Sequence, residues 1–348
     1  MKNTKYELID QRADGLWRIR ALRDLNRPTS SRYFVDVHVG DLGGWIEGDY
    51  NLSYEENDNS WIFDESVVRG GSVVRDGSAI INNSIIDGGS VILKSTVHSS
   101  KVNDGSVIRD HSHVNGSTVS TSMISNGTVY ESTVYEDSMV GGSSHVDNSV
   151  VLSGSVIRDG STVAASKIFK GTVRDQSTIS KSTINDSTIS ASGVEGSEVR
   201  DSTVSDNSTI RDRSAVAGSA IISSTVKHGD VSNSTIEGSK ILESVISGNS
   251  TVTSSVVRDG SAVDNGIVSG SSTVADNSVV DGSTISNGSE VRDNSTIRDG
   301  SKVCGGSTVS SSMVRDGGAV CDGSVVRNGS VIIGGSAPIA QQAQSRRW

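Results

Sequence analysis

Histidine is the side chain whose charge changes nearest neutral pH, so the six histidines of this 348-residue chain are the first candidates for general-base chemistry. Three of them share a setting. His98 follows Val97, His113 precedes Val114 and His145 precedes Val146, each directly beside a β-branched residue. The two cysteines, Cys304 and Cys321, likewise each follow a valine. Two thiols without a neighbouring histidine make a poor ligand set, so no metal site is expected. What brings any of these residues together must be the elements that carry them.

Those elements come from one unit, seen plainly in STIRDG and SKVCGG from Ser295 to Gly306. A small residue, usually Ser, is followed by a variable residue, a β-branched aliphatic, and two or three residues rich in Asp, Asn and Gly. Taking the aliphatic as the anchor, the units run from Val68 through Val74, Ile80, Ile86 and Ile92 to Ile332, with 49 anchors joined by 24 five-residue and 24 six-residue steps. No stretch offers apolar residues at helical spacing, and the alternation is too brief for ordinary half-buried strands. Self-similarity at so short a period predicts a solenoid, each coil burying its inward residues against its neighbours.

Three units per coil follow from the charges. The Arg-Asp pairs after Val74, Ile108, Ile157 and Val173 fall on anchors 2, 8, 17 and 20, all leaving remainder 2 on division by three. They would line one face of a three-sided prism of about sixteen coils, and a square solenoid gives no such alignment. The same count places Cys304 and Cys321 outward on one face, one coil apart, so Cα atoms beyond about 7 Å would rule out the three-unit coil. It also puts His98, His113 and His145 on one face, with His98 and His113 on adjacent coils. Arg of the Arg-Asp-Gly series, at Arg75, Arg158, Arg258, Arg298 and Arg315, points outward and is expected to offset carboxylates stacked on neighbouring coils.

Units such as SVVRDG, SAIINN, STIRDG and SKVCGG resemble the hexapeptide repeat of left-handed parallel β-helix proteins. The handedness is implied by that resemblance. YELID, LWRIRALRDL and GDLGGWIEGDYNLSYEENDNSWIFDESVV resemble the opening of YdcK-type hexapeptide-repeat proteins of bacteria and prophages, in wording as far as Val67 and in architecture beyond it. Such proteins are often labelled acyltransferases because of the repeat. The resemblance therefore implies an acyl-CoA-dependent acyltransferase, with acetyl-CoA or another acyl-CoA as cofactor and a homotrimer with an interfacial cleft; the shared face makes His98, His113 and His145 the general-base candidates for that reading.

The domain reading is a β-hairpin cap over 1–60, a parallel β-helix of mixed five- and six-residue repeats over 61–335, and a tail or plug over 336–348. In the cap, Tyr6 to Ile9 and Trp17 to Leu22 alternate around a turn-like Arg12 to Gly15, which predicts a hairpin; Tyr33, Phe34, Val35 and Val37 add apolar bulk. A solenoid end exposes strand edges and core, which a cap must cover. In the tail, Pro338 stops the pattern and Trp348 is the one group large enough to cover a core.

The net charge is −10, with 13 acids to 8 bases in residues 1–65 and 28 to 21 in residues 66–336. With no basic stripe, nucleic acid is not an expected partner. No secretory signal or transmembrane run is visible, so no membrane partner is expected and the cytoplasm is the default location, or the virion if a phage encodes the chain. In the cytoplasm the cysteines would stay thiols. No long apolar patch can be traced on any face, which leaves monomer and dimer open. The leading expectation is a non-catalytic structural protein without a cofactor, presenting polar faces to itself or to another protein. The acyltransferase is the alternative.

Overall fold

The computed structural model describes residues 3–25 and 36–336. Pro28, Tyr33, Phe34, Val35, Pro338 and Trp348, and with them the expected tail or plug, lie outside the described residues. Among those described every regular element is a strand. The chain divides into two compact units, Met1–Gln176 and Ser177–Trp348.

The first unit opens with the expected hairpin. Strands β1 (Tyr6–Gln11) and β2 (Trp17–Ala21) pair antiparallel, with Leu8 opposite Ile19. Strand β3 (Leu42–Ile46) joins β2 antiparallel on one side and begins the parallel ladder on the other, where Trp45 pairs with Val67 and Ile46 with Val68. The backbone of β3 runs too close to its neighbours for side chains at two positions. A Cβ at Gly43 would stand 2.5 Å from Ile19 Cγ1, and one at Gly44 would stand 2.4 Å from the carbonyl oxygen of Ser66.

Ile46, Leu52 and Ile62 pair with Val68, Val74 and Ile80, so they form a first, irregular coil. Beneath it lies the cap. Ile19 and Leu25 are fully buried, and Tyr6 donates its hydroxyl hydrogen to the carbonyl of Leu52 at 2.9 Å. Burial, followed by the nearby Asp49, raises the Tyr6 pKa.

An ion pair is sealed into this end. Lys5 is completely buried, with Nζ 2.6 Å from the Ser53 carbonyl oxygen and 3.9 Å from Asp58 Oδ1. Asp58 also accepts the backbone N–H groups of Ser60, Asp76 and Gly77. Burial pushes its pKa up, but Lys5 and these hydrogen bonds outweigh that and hold it down at about 2.

Above the cap each anchor pairs in parallel with the third anchor after it. Val74 pairs with Ile92, Ile92 with Ile108 and Ile108 with Ile124, and so on along three faces. The second unit repeats this, as in Ile210 with Val226 and Val226 with Ile241. The count of three units per coil is therefore borne out, and the chain is an all-β parallel solenoid of about sixteen turns with a small antiparallel N-terminal part. Every anchor from Val68 to Val326 is buried. At the end of the described coils Ile332 is half-buried, between Val331 and Ile333 at 52% and 53% exposure.

The small residue is Ser in 44 of the 49 units, which asks for a reason beyond size. At many corners the Ser backbone N–H turns away from the strand ladder to a Ser hydroxyl on the coil below. Ser90 donates this N–H to Ser72 Oγ one coil below, at 3.0 Å, and its own hydroxyl donates to the Asp87 carbonyl at 2.8 Å. The hydroxyl columns satisfy buried backbone groups that Ala would leave unpaired.

Turn length sets the corner geometry. A six-residue step carries two consecutive left-handed residues, as at Asp110 (φ 58°) and His111 (φ 62°). A five-residue step carries one, and this can be Thr121, Glu131 or Ala165. Such residues favour that region less than Gly or Asn. The conformation aims their N–H at the coil below, as Glu131 N–H does at the Asn115 carbonyl, 2.9 Å away.

Candidate functional site

Numbering the faces by the anchors Val68, Val74 and Ile80 that open them, the third face of the first unit carries the three histidines, on strands His98 shares with Val97, His113 with Val114 and His145 with Val146. Outward residues on such a face form two columns, one before the anchors and one after. Thr96, His113, Thr128, His145 and Thr162 stand in the first, and His98, Asn115, Tyr130 and Asp147 in the second. His98 and His113 are thus diagonal neighbours on adjacent strands. His145 lies two rungs beyond His113, about 10 Å away at the usual strand spacing, with Thr128 between them.

His98 Nδ1 lies 3.0 Å from Asn115 Oδ1 and 3.1 Å from Ser99 Oγ. Burial lowers the pKa of His113, and charge on His98 lowers it further. His113 is therefore held toward the neutral imidazole, the form that can accept a proton. Among the described residues no group of three or more His, Cys, Asp or Glu is placed to hold a metal ion.

Cys304 and Cys321 occupy the outward column after the anchors on the second face, on adjacent coils, with Cα atoms 4.5 Å apart. The distance agrees with the three-unit coil. The expectation of free thiols is corrected, because the two are joined in a disulfide. The parallel register alone brings them within the Cα separation that a disulfide spans.

The Arg-Asp series is also corrected in part. Arg75, Arg109, Arg158 and Arg174 do line one face of the first unit, but each pairs with the Asp that follows it, as Arg109 does with Asp110 at 3.3 Å and Arg158 with Asp159 at 3.4 Å. Asp sits in the left-handed turn directly after the strand, which folds its carboxylate back beside the guanidinium. A pair to the next coil does occur between Arg69 and Asp87 at 2.8 Å.

One feature was missed by pattern reading. Val73, Val91, Val107, Met123, Met139 and Val156 stack in register on the second face of the first unit, one per coil, all pointing outward. This six-rung apolar column contradicts the expectation that no long apolar patch exists. A whole coil of sequence separates each member from the next, and writing out the residue before every third anchor reveals it. Beside it lies a groove of about 270 Å³ lined by Gly105, Val107, Thr121, Met123, Asp137 and Met139. A second groove, of about 390 Å³, holds Tyr50, Tyr54, Val73 and Arg75 at the N-terminal end of the same column. Neither groove is lined by histidine.

The fold and these surface ladders define a parallel β-solenoid protein. No family model matches the chain, and no curated protein matches it. Fifteen chains of known structure are similar. Among them is a protein from Desulfovibrio desulfuricans G20 described as a putative acetyltransferase, at 14% identity and a TM-score of 0.17, covering 70% of this chain. The match spans 63% of that protein's length, and at so loose a superposition it carries no functional argument. Among the described residues no helix is long and apolar enough to cross a membrane.

Proposed function

We propose that this protein is a non-catalytic structural or protein-interaction scaffold, a regular solenoid that presents side-chain ladders to itself or to another protein. The observation that carries this reading is the in-register column from Val73 to Val156, an ordered apolar surface that serves no core. The resemblance of the segment up to Val67 to YdcK-type proteins of bacteria and prophages is what supports a phage or prophage origin. Of the two expected locations, the Cys304–Cys321 bond supports the virion over the reducing cytoplasm.

The acyltransferase is the second reading, favoured by His113, which is half-buried, held toward its neutral form, and next to His98. Titration calorimetry with acetyl-CoA separates the two. The scaffold reading expects no heat of binding at millimolar cofactor. Binding that is lost in His113→Ala would overturn it in favour of the enzyme.

A further inference from the structure

We infer that the second face of the first unit is the seat of the same face of a second copy of this chain, the two first units packed side by side and pointing the same way. The inference deepens the scaffold reading and rests on it. Three observations select the partner and its orientation.

The first is period. The apolar column repeats once per coil, at the roughly 4.8 Å separation of parallel strands. An extended peptide rises by about 3.3 Å per residue and a helix by about 5.4 Å per turn, so neither stays in step with six rungs. Another copy of the same ladder stays in step along its whole length. The groove beside Met123 and Met139 offers the room into which flexible methionine side chains of a facing column can settle.

The second is charge. On the side of the column after the anchors stand Arg75, Arg109, Arg158 and Arg174. On the other side, in the turns that lead into the column, stand the exposed carboxylates of Asp104, Glu136 and Asp137. A two-fold axis along the column lays one chain's arginine side over the other's acidic side. Arg109 and Asp104 belong to the same coil, flanking Val107, so each copy's Arg109 then faces its partner's Asp104. Turning the second copy end for end would set arginine over arginine. The pairs that these arginines make with Asp110 and its counterparts are exposed, hence weak and free to exchange.

The third is size. Six rungs span about 24 Å, and with a face about 15 Å wide the contact covers on the order of 400 Å² per copy. That lies at the low end for protein interfaces, so association belongs near about 100 μM rather than at nanomolar levels.

Sedimentation equilibrium on the full chain, from about 5 to 500 μM, is the test. The expected result is a molar mass rising from one chain toward two. Replacing both outward methionines, Met123→Glu with Met139→Glu, should weaken the association at least about a hundredfold, since four desolvated charges would meet across the two-fold. The far-ultraviolet circular dichroism should stay unchanged, because neither side chain reaches the core. Arg109→Asp alone should weaken the dimer, and adding Asp104→Arg in the same chain should restore it. Val73→Cys, in a chain with Cys304→Ser and Cys321→Ser, should cross-link to itself on oxidation, because parallel copies place like rungs together.

A monomer throughout the range, a trimer, undiminished association of the methionine variant, or absent Val73→Cys cross-links would each overturn the inference. None of those results touches the scaffold reading, which fails instead on acetyl-CoA binding.

Discussion

Ser255 donates its backbone N–H to the hydroxyl oxygen of Ser239, sixteen residues earlier and one coil below, at 3.0 Å. The Ser239 hydroxyl hydrogen goes to the Glu237 carbonyl at 2.7 Å. One small side chain thus settles a donor that the strand ladder does not reach, and adds a second hydrogen bond to a carbonyl that also accepts the Ser254 N–H at 2.8 Å. Ser239→Ala keeps the volume nearly unchanged but leaves the Ser255 N–H buried and unpaired, at about 1–3 kcal/mol, while the Glu237 carbonyl keeps the Ser254 N–H. Chemical denaturation should show that loss, while the same change at Ser310, an outward residue, should cost far less.

The buried Lys5–Asp58 pair makes the N-terminal end sensitive to acid. The folded pKa of Asp58, about 2, lies below its ordinary value. Its contribution is therefore complete above about pH 4 and is lost as pH falls toward 2. Asp58→Asn should cost about 3–5 kcal/mol by stranding the Lys5 charge. Thermal melts of the variant should also lose this part of the acid sensitivity. An unchanged melting temperature at pH 7 would contradict the assignment.

The Cys304–Cys321 bond ties together coils next to the half-buried end at Ile332. The cysteines are 17 residues apart, so breaking the bond should destabilise the end by about 3 kcal/mol through the loop entropy released to the unfolded chain. Reduction, or Cys304→Ser with Cys321→Ser, should speed hydrogen exchange of the amides around Val314 and Val326 before it affects the cap. The unreduced protein should show no reactive thiol.

His113 should titrate below the ordinary histidine value, because burial and His98 both disfavour its charged form. The unfolded chain then takes up the proton first, so this residue's contribution to stability declines as pH falls through about 6.5. In His98→Ala the His113 pKa should rise. Proton NMR of the imidazole resonances would show the shift, and an unmoved titration would separate the two rings.

Much of this protein was legible in its residues because the repeat is so short. The anchors from Val68 to Val326 announce the core, Asp, Asn and Gly announce the turns, and the Arg-Asp phase announces three sides. The hairpin of Tyr6–Gln11 and Trp17–Ala21 also follows from alternation alone. Other features depended on which residues meet across coils. The Val73 to Val156 column consists of residues that never neighbour one another in the chain, and it appears only once every third strand is stacked. The Arg109–Asp110 pair required the left-handed turn that folds Asp back. Lys5 and Asp58 lie far apart in the chain, and nothing local marks them as partners. Cys304 and Cys321 lay at a known separation, yet only the 4.5 Å between their Cα atoms made them a bond. Period is a property of the sequence because each unit repeats the same local physics. Contact between units depends on how many residues close a coil, and that is decided in three dimensions.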